Sequence, residues 1–266
     1  MEKGIMRYLN NLTKIKDIVT TEGDSVEVFE LSTMIDDIAF NEWAVHFRQN
    51  YCQDDCLDFL IKGTSMSKQE YLLTNKFPHE KDGLGPGTRS GDFAELLVSD
   101  YLEFSLGYTV HRERYKNKIN SNSSTQGTDV IAFKIVNSIP SIEDELVTFE
   151  VKAQASGKDA KNRLQDAIVD SYKDAIRKGE TLSALKQIYF EKKDFEKANQ
   201  VERFQNKPDN PYTEQYGAAA VHDTKTYSEE LIKNIKLNGA KRWMIVIKGD
   251  NLMNLIHKLY EVAAQC

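Results

Sequence analysis

An apolar strand with an acid and a base on one face is the feature that most restricts how this chain can fold. Residues 146–153, Leu-Val-Thr-Phe-Glu-Val-Lys-Ala, are rich in β-branched and aromatic side chains, which predicts a strand. Because side chains alternate along a strand, Glu150 and Lys152 point to the same face, about 6–7 Å apart. A second Glu-x-Lys, at Glu191 and Lys193, lies in a highly charged helical stretch where a solvent-exposed face is expected. The surroundings of the first pair, and not the tripeptide itself, therefore indicate a function.

A second strand brings another carboxylate close to this pair. Residues 128–136 predict a strand with Asp129 near its start, and a turn-forming segment follows it. We expect the two strands to form a hairpin with Val136 opposite Glu145. Asp129 then falls opposite Lys152, whereas a shift of one residue would turn it to the other face.

This arrangement of side chains predicts metal-dependent chemistry on phosphate esters. Carboxylates that are buried together repel each other unless a cation lies between them. Mg²⁺ prefers oxygen ligands and commonly takes two carboxylates with phosphate oxygens and water. Lys152 would then stabilise the charge of a phosphoryl transition state or hold the attacking water.

A predicted helix over residues 91–104 carries a further acid. The helix is apolar over most of its circumference, which indicates burial, and Asp92 and Glu95 share its narrow polar strip. One interpretation makes Asp92 the N-cap and Glu95 its capping-box partner. The other directs Glu95 at the same site as Asp129 and Glu150. The sequence pattern alone favours neither.

Two groups of polar side chains fall on one face of a predicted element. The first group has two-residue spacing along and beyond a strand predicted at residues 108–115, which would put its basic side chains on one face: Arg112, Arg114, Lys116 and Lys118. A solvent-exposed edge strand explains this spacing as well as a functional basic face does. The second lies beside the buried stripe of a helix predicted to begin at Ser156: Lys158, Lys161, Gln165 and Tyr172. This second group is a candidate contact for a phosphate backbone, and an ordinary polar flank is the alternative.

Size and charge limit the classes of function. The longest apolar runs, such as residues 243–247, are too short to cross a bilayer. The net charge of −6 argues against an autonomous, tight nucleic-acid binder, so a nucleic-acid role needs a local basic track or a partner that delivers the substrate. The three cysteines, Cys52, Cys56 and Cys266, provide neither a disulfide framework nor a metal set, which favours a reducing cytoplasm.

The order of predicted elements indicates an α/β fold, a mixed central sheet flanked by helices. Strands at residues 215–222 and 242–248 each precede a helix, and a Gly- and Pro-rich stretch marks the best candidate boundary. We therefore predict a smaller N-terminal α/β accessory unit at residues 1–77, a linker at 78–89 and a main domain at 90–266.

The order of Glu95 in a helix, Asp129 opening a strand and Glu150-Val-Lys152 in the partner strand resembles the PD-(D/E)XK nuclease superfamily. The resemblance implies a restriction-endonuclease-like core and phosphodiester cleavage that depends on Mg²⁺, or on Mn²⁺ in its place. Asp129 and Glu150 would be metal ligands and Glu95 an auxiliary ligand. Lys152 would stabilise the transition state or position the water.

A closer likeness is to the nuclease subunit of Hachiman antiphage systems. Arg89-Ser-Gly-Asp-Phe-Ala-Glu95-Leu-Leu resembles the Arg-Gly-Glu-x-Gly-Glu-Leu-Leu block of that family, and Gln126-Gly-Thr-Asp129 follows in the same order. It implies DNA as substrate, with RNA still open, and a helicase (ATPase) partner that binds DNA and supplies the positive electrostatics that an acidic chain lacks.

The likeness is incomplete at several positions. Asp92 stands where the block has Glu, and Thr128 stands where the superfamily usually has Pro. Gln165 and Tyr172 are seven residues apart, so they do not form the Gln-x-x-x-Tyr motif of some branches.

Two other hypotheses stay open at this point. A non-catalytic adaptor on a nuclease-like fold would use the N-terminal unit to dock a partner, although the presence of all four site residues disfavours it. An unrelated α/β protein would carry Glu150 and Lys152 as a surface ion pair that adds little stability.

Overall fold

The computed structural model describes residues 6–123 and 127–266. The strands are β1 (Leu12–Val19), β2 (Ser25–Leu31), β3 (Thr109–Val110), β4 (Val130–Lys134), β5 (Glu145–Gln154), β6 (Thr213–Asp223) and β7 (Trp243–Gly249). They form a seven-stranded sheet in the order β1-β2-β7-β6-β5-β4-β3. β2, β5, β6 and β7 run parallel to one another, whereas β1, β3 and β4 pair antiparallel with their neighbours. The predicted α/β class with a mixed sheet is confirmed.

Helices cover both faces of this sheet. Their bounds are α1 (Asp37–Tyr51), α2 (Asp54–Leu60), α3 (Lys68–Tyr71), α4 (Gly85–Asp100), α5 (Glu113–Lys116), α6 (Arg163–Ser171), α7 (Asp174–Glu191), α8 (Phe195–Arg203), α9 (Glu229–Lys233) and α10 (Leu252–Gln265). Helices α1, α4 and α10 pack on one face, and α6 to α9 pack on the other. Within the described ranges, no helix is both long enough and apolar enough to span a membrane.

β5 has one apolar face and one charged face, as its alternating pattern predicts. Val147, Phe149 and Val151 belong to the large apolar core beneath α1, α4 and α10. Glu150 and Lys152 point to the opposite face, where α6 and α7 contact the strand. Because β5 lies between β6 and β4 in the sheet, the backbone that carries these two charged side chains is fixed from both sides.

The β4–β5 hairpin has a register that differs by two residues from the predicted one. Val130 pairs with Phe149, and Lys134 pairs with Glu145. Continuing this register by one residue places Asp129 opposite Glu150 and not opposite Lys152. Because side chains alternate with a period of two, the shift preserves the predicted face.

The strand predicted at residues 108–115 is wrong beyond its first residues. Only Thr109–Val110 pairs in the sheet, and Glu113–Lys116 forms a helical turn. The basic side chains of this segment therefore do not share an exposed face. Instead, Arg112 contacts Asp100, the last residue of α4, and Glu103 just beyond it, and two other basic residues reach acids within α4, because buried carboxylates require charged partners.

Two helices begin at positions other than those predicted. α4 begins at Gly85, with Pro86 in its first turn, and so includes residues expected in the linker. A Cβ at Gly85 would lie 2.2 Å from the backbone oxygen of His79, so only glycine fits this close approach. α6 begins at Arg163 with Asn162 as its N-cap, which leaves the residues after Ser156 in a loop.

The strands of the N-terminal 77 residues belong to the same sheet as the rest of the chain. β2 pairs in parallel with β7 from Val26–Met244 to Leu31–Gly249. The division into residues 1–77, 78–89 and 90–266 stays a prediction about independently folding units. Gln126, which contributed to the resemblance above, lies outside the described residues.

Candidate active site

Asp129 lies immediately before β4, between charged groups on the two faces of the sheet. Its Oδ2 accepts a hydrogen bond from the backbone N–H of Val151 at 3.0 Å, which fixes the carboxylate against β5. Its Oδ1 lies 3.3 Å from Nη1 of Arg114. Burial, and then the charge of Asp129, raises the pKa of Glu150. The hydrogen bond from Val151, the residue between Glu150 and Lys152, therefore places Asp129 beside this part of β5.

Glu150 is buried and is held by two cations. Lys152 Nζ donates to its Oε1 at 2.6 Å, and Arg177 Nη1 donates to its Oε2 at 3.2 Å. Lys152 Nζ also lies 2.8 Å from Oδ2 of Asp170. Burial opposes the charge on Lys152, but its hydrogen bonds to Asp170 and Glu150 outweigh burial and raise its pKa. We refer to Glu150, Lys152, Asp170, Asp174 and Arg177 as the β5 cluster.

Asp174, in the first turn of α7, is a carboxylate that the sequence did not single out. It is fully buried, and its Oδ1 accepts a hydrogen bond from Thr128 Oγ1 at 3.4 Å. Among the described residues its Oδ2 has no hydrogen-bond partner. Burial, followed by the charges of Glu150 and Asp129, raises the pKa of Asp174 to about 7. This side chain is therefore an oxygen donor beside the other acids with capacity to bind a ligand.

Glu95 approaches Asp129 from the α4 side and is separated from it by Arg114. Arg114 Nη1 lies 3.7 Å from Oε2 of Glu95 and 3.3 Å from Oδ1 of Asp129. Tyr115 donates its hydroxyl to Oε2 of Glu95 at 2.7 Å. Burial raises the pKa of Glu95 to about 8, although Arg114 opposes this shift. The structure thus brings Glu95 near Asp129 through a shared arginine and leaves Glu150 on the other side.

Asp92 is not an N-cap, because α4 begins seven residues before it. Lys118 Nζ donates to both of its oxygens, at 2.7 Å and 2.5 Å, and Tyr51 donates its hydroxyl at 2.7 Å. The Lys118 side chain is only 3% exposed. The capping-box interpretation of Asp92 and Glu95 is therefore wrong. We refer to Asp92, Glu95, Arg114, Tyr115 and Lys118 as the α4 cluster.

The four predicted nucleic-acid contacts separate into two places. Lys158 and Lys161 lie in the exposed loop between β5 and α6. Gln165 exchanges hydrogen bonds with the backbone of Lys236, and Tyr172 donates its hydroxyl to the backbone oxygen of Leu237 at 2.5 Å. Gln165 and Tyr172 therefore fasten α6 to the segment after α9, whereas the two lysines stay accessible.

Sequence reasoning missed three charged residues that complete the β5 cluster. Asp170, Asp174 and Arg177 follow one another at i, i+4 and i+7, a spacing that predicts one helical face directed at β5. That spacing was a usable signal even though the chain breaks into two helices there. No pattern in the sequence indicates that the side chain of Arg114 points inward, because that orientation depends on a tertiary contact with α4.

The carboxylates near β5 are oxygen donors of the kind that Mg²⁺ takes together with oxygens of a substrate. Within residues 6–123 and 127–266, no group of three or more Asp, Glu, His or Cys side chains is arranged to hold a metal ion. Mg²⁺ is commonly bound by one or two carboxylates plus phosphate oxygens and water, and Asp129 and Glu150 are donors of that type. The unpartnered Oδ2 of Asp174 nearby supports this fit. Glu95 would join only if Arg114 moved away.

Comparison with known protein families gives one match. The family model described as HamA matches residues 6–263. No curated protein matches the chain. The family match covers nearly the whole chain and supports the Hachiman likeness seen in the sequence.

Proposed function

We propose that this chain, which belongs to the HamA family, is the nuclease effector of a Hachiman-type antiphage defence system and cleaves phosphodiester bonds in DNA with Mg²⁺. The observation that carries the proposal is the gathering of Asp129, Glu150 and Lys152 at one end of the β4–β5 hairpin. Two mutually repelling carboxylates beside an ammonium group form the set that charge neutralisation of a phosphoryl group requires.

Each side chain has a distinct role in this proposal. Asp129 and Glu150 would hold the ion, which supplies Lewis-acid polarisation of the phosphate and activates water. Lys152, now bonded to Glu150 and Asp170, would transfer one hydrogen bond to a phosphate oxygen or to the attacking water. Asp170 would keep the ammonium group of Lys152 in place. Glu95 would contribute an auxiliary oxygen after Arg114 is displaced.

A protein partner follows from the charge of the chain. A net charge of −6 provides little long-range attraction for DNA. We propose that a helicase from the same cytoplasmic defence system binds the DNA and delivers it. The partner would also determine when the site opens.

A cleavage assay tests this function. Linear and plasmid DNA, and RNA of matched length, are incubated with the chain in Mg²⁺, Mn²⁺ or EDTA, with and without the helicase of the system. We expect cleavage of DNA that needs the divalent ion. Glu150→Gln and Lys152→Met should each lower the rate by about 100-fold or more, since each removes charge stabilisation of the transition state.

The second Glu-x-Lys provides a matched control. Glu191 is exposed and its carboxylate accepts a hydrogen bond from Gln187, so Glu191→Gln should leave the rate within about twofold of the parent chain. Helicase-dependent DNA binding without any ion-dependent cleavage would support a non-catalytic adaptor and contradict the proposal. Equal activity of Glu150→Gln and Glu191→Gln would also contradict it.

A further inference from the structure

A polar cavity of about 440 Å³ opens at the carboxyl end of β5. Its walls are the loop from Ala153 to Arg163, the first turns of α4 at Pro86 and Ser90, and the first turns of α10. Three elements that are distant in sequence thus meet where parallel strands end. In sheets that contain parallel strands, ligands commonly bind outside this end of the strands.

Basic side chains dominate the charge of this cavity. Lys158, Lys161 and Arg163 line it, together with His257 and a single acid, Asp159. In the part of the chain that the structure describes, neither Lys158 nor Lys161 has an ion-pair partner, whereas Arg163 Nη1 lies 3.0 Å from Asp166. Two uncompensated ammonium groups on one cavity of an acidic protein indicate an anionic ligand.

The α4 wall adds two features that favour an anion. The N-terminus of α4, a helix of 16 residues, lies at the cavity, and helix N-termini carry partial positive charge. Ser90 also lines the cavity, is only 8% exposed, and its Oγ has no hydrogen-bond partner among the described residues. A buried hydroxyl without a partner is rare, and a bound oxyanion would supply the missing acceptor.

The loop that carries the lysines is fixed by the strand itself. Gln154 Nε2 donates to the backbone oxygen of Asp159 at 2.8 Å, and its Oε1 accepts from the backbone N–H of Lys161 at 3.0 Å. Gln154 follows Lys152 by two residues on the same face, which corresponds to about 7 Å. The cavity, which Gln154 lines, therefore begins about 7 Å along β5 from Lys152 of the candidate active site.

We propose that this cavity binds a phosphate group of the nucleic-acid strand and so positions the strand beside Glu150 and Lys152. The inference rests on the proposed nuclease function. The phosphate belongs either to the interior of a strand or to its 5′ end, since both present the same oxyanion. Lys158 and Lys161 supply its counter-charge, and the Ser90 hydroxyl donates one hydrogen bond.

Binding without cleavage tests this site. Fluorescence anisotropy in EDTA measures binding of the whole chain to labelled single-stranded oligonucleotides, with and without a 5′ phosphate, between about 50 and 200 mM salt. Lys158→Ala/Lys161→Ala should weaken binding about tenfold or more at low salt and reduce the slope of log K against log[salt] by about 1.4. Ser90→Ala should weaken binding about threefold without changing that slope, because the hydroxyl carries no charge.

Lys62→Ala/Lys186→Ala is the matched control, because it removes the same charge from surfaces outside the cavity. A loss for both oligonucleotides assigns an internal phosphate, and a loss only for the phosphorylated one assigns the 5′ end. If the cavity variant binds like the control variant, the proposal is overturned. Intact cleavage with that result would leave the nuclease function standing, whereas a specific binding defect without cleavage in any condition would reject the function and retain the site.

Discussion

The α4 cluster and the β5 cluster both combine buried acids with cations, but the lysine and arginine of the β5 cluster are far more exposed than the lysine of the α4 cluster. In the α4 cluster, Lys118 is 3% exposed and bonds both oxygens of Asp92. In the β5 cluster, Lys152 and Arg177 are 27% and 32% exposed and share one carboxylate, Glu150. A cation at the surface can turn to solvent or to a phosphate at small cost, whereas a buried one cannot.

This difference separates structural charge from charge available for chemistry. The α4 cluster is enclosed by aromatic hydroxyls from Tyr51 and Tyr115, so its hydrogen bonds are satisfied within the protein. The β5 cluster keeps one unpartnered oxygen, on Asp174, among the described residues. Asp129 touches both clusters, through Arg114 and through β5. We infer that a substrate acts first on the β5 side.

The largest expected effect is on stability, from Lys118→Met. The substitution removes the ammonium group that bonds both oxygens of the buried Asp92, and burial already raises the pKa of that carboxyl. We expect a loss of about 3–5 kcal/mol in the free energy of unfolding, measured by urea denaturation at pH 7. Lys116→Met is the control, since Lys116 is 28% exposed and its pair with Glu113 should contribute less than about 1 kcal/mol. Equal losses in the two variants would remove the distinction between buried and exposed cations.

The next effect is a pH dependence that Asp174→Asn removes. The folded-state pKa of Asp174 is about 7, above its ordinary value, because burial and neighbouring acids disfavour the charged form. Its contribution to stability is therefore complete below about pH 4 and is lost as the pH rises to about 7. Between pH 4 and pH 8 in EDTA, the stability of the variant relative to the parent should improve by up to about 4 kcal/mol.

Asp170→Asn is the matching comparison, because the pKa of Asp170 is shifted in the opposite direction to that of Asp174. Hydrogen bonds from Lys152 and Lys173 lower the pKa of Asp170 to about 2. Its contribution is present above about pH 4 and is lost as the pH falls toward 2, so this variant should show no relative gain between pH 5 and pH 8. Urea denaturation across the pH range measures both variants. A gain for Asp170→Asn, or none for Asp174→Asn, would contradict the assignment of Asp174 as the acid that lacks compensation.

The β5 side of this comparison was largely predictable from sequence, and the α4 side was not. Alternation of side chains put Glu150 and Lys152 on one face, and an error of two residues in the hairpin left Asp129 on the predicted face, because the period of a strand is two. The inward turn of Arg114 and Lys118 replaced a predicted exposed strand. Their partners on α4 lie 19 and 26 residues earlier in the chain, and local patterns contain no information on such a pairing.

β1 was missed for a related reason. It is an edge strand with five consecutive exposed residues and several charges, so it lacks the apolar alternation that identifies a strand. Its pairing with β2 is determined by backbone hydrogen bonds, which any sequence can form. Core strands such as β7, by contrast, were evident from their apolar composition alone.

The smallest expected effects on stability come from the single variants Lys152→Met and Arg177→Met. Each leaves Glu150 with one cation, so each should lower the free energy of unfolding by less than about 1 kcal/mol. The double variant leaves Glu150, whose side chain is only 4% exposed, without a charged partner. Its loss should exceed the sum of the singles by about 1–3 kcal/mol, measured by a double-mutant cycle in urea. Additive losses would mean that the two cations do not substitute for each other. The loss of Lys152 from Glu150 would then cost the same whether or not Arg177 remains, and Arg177 would not ease the exchange of Lys152 from Glu150 to a phosphate.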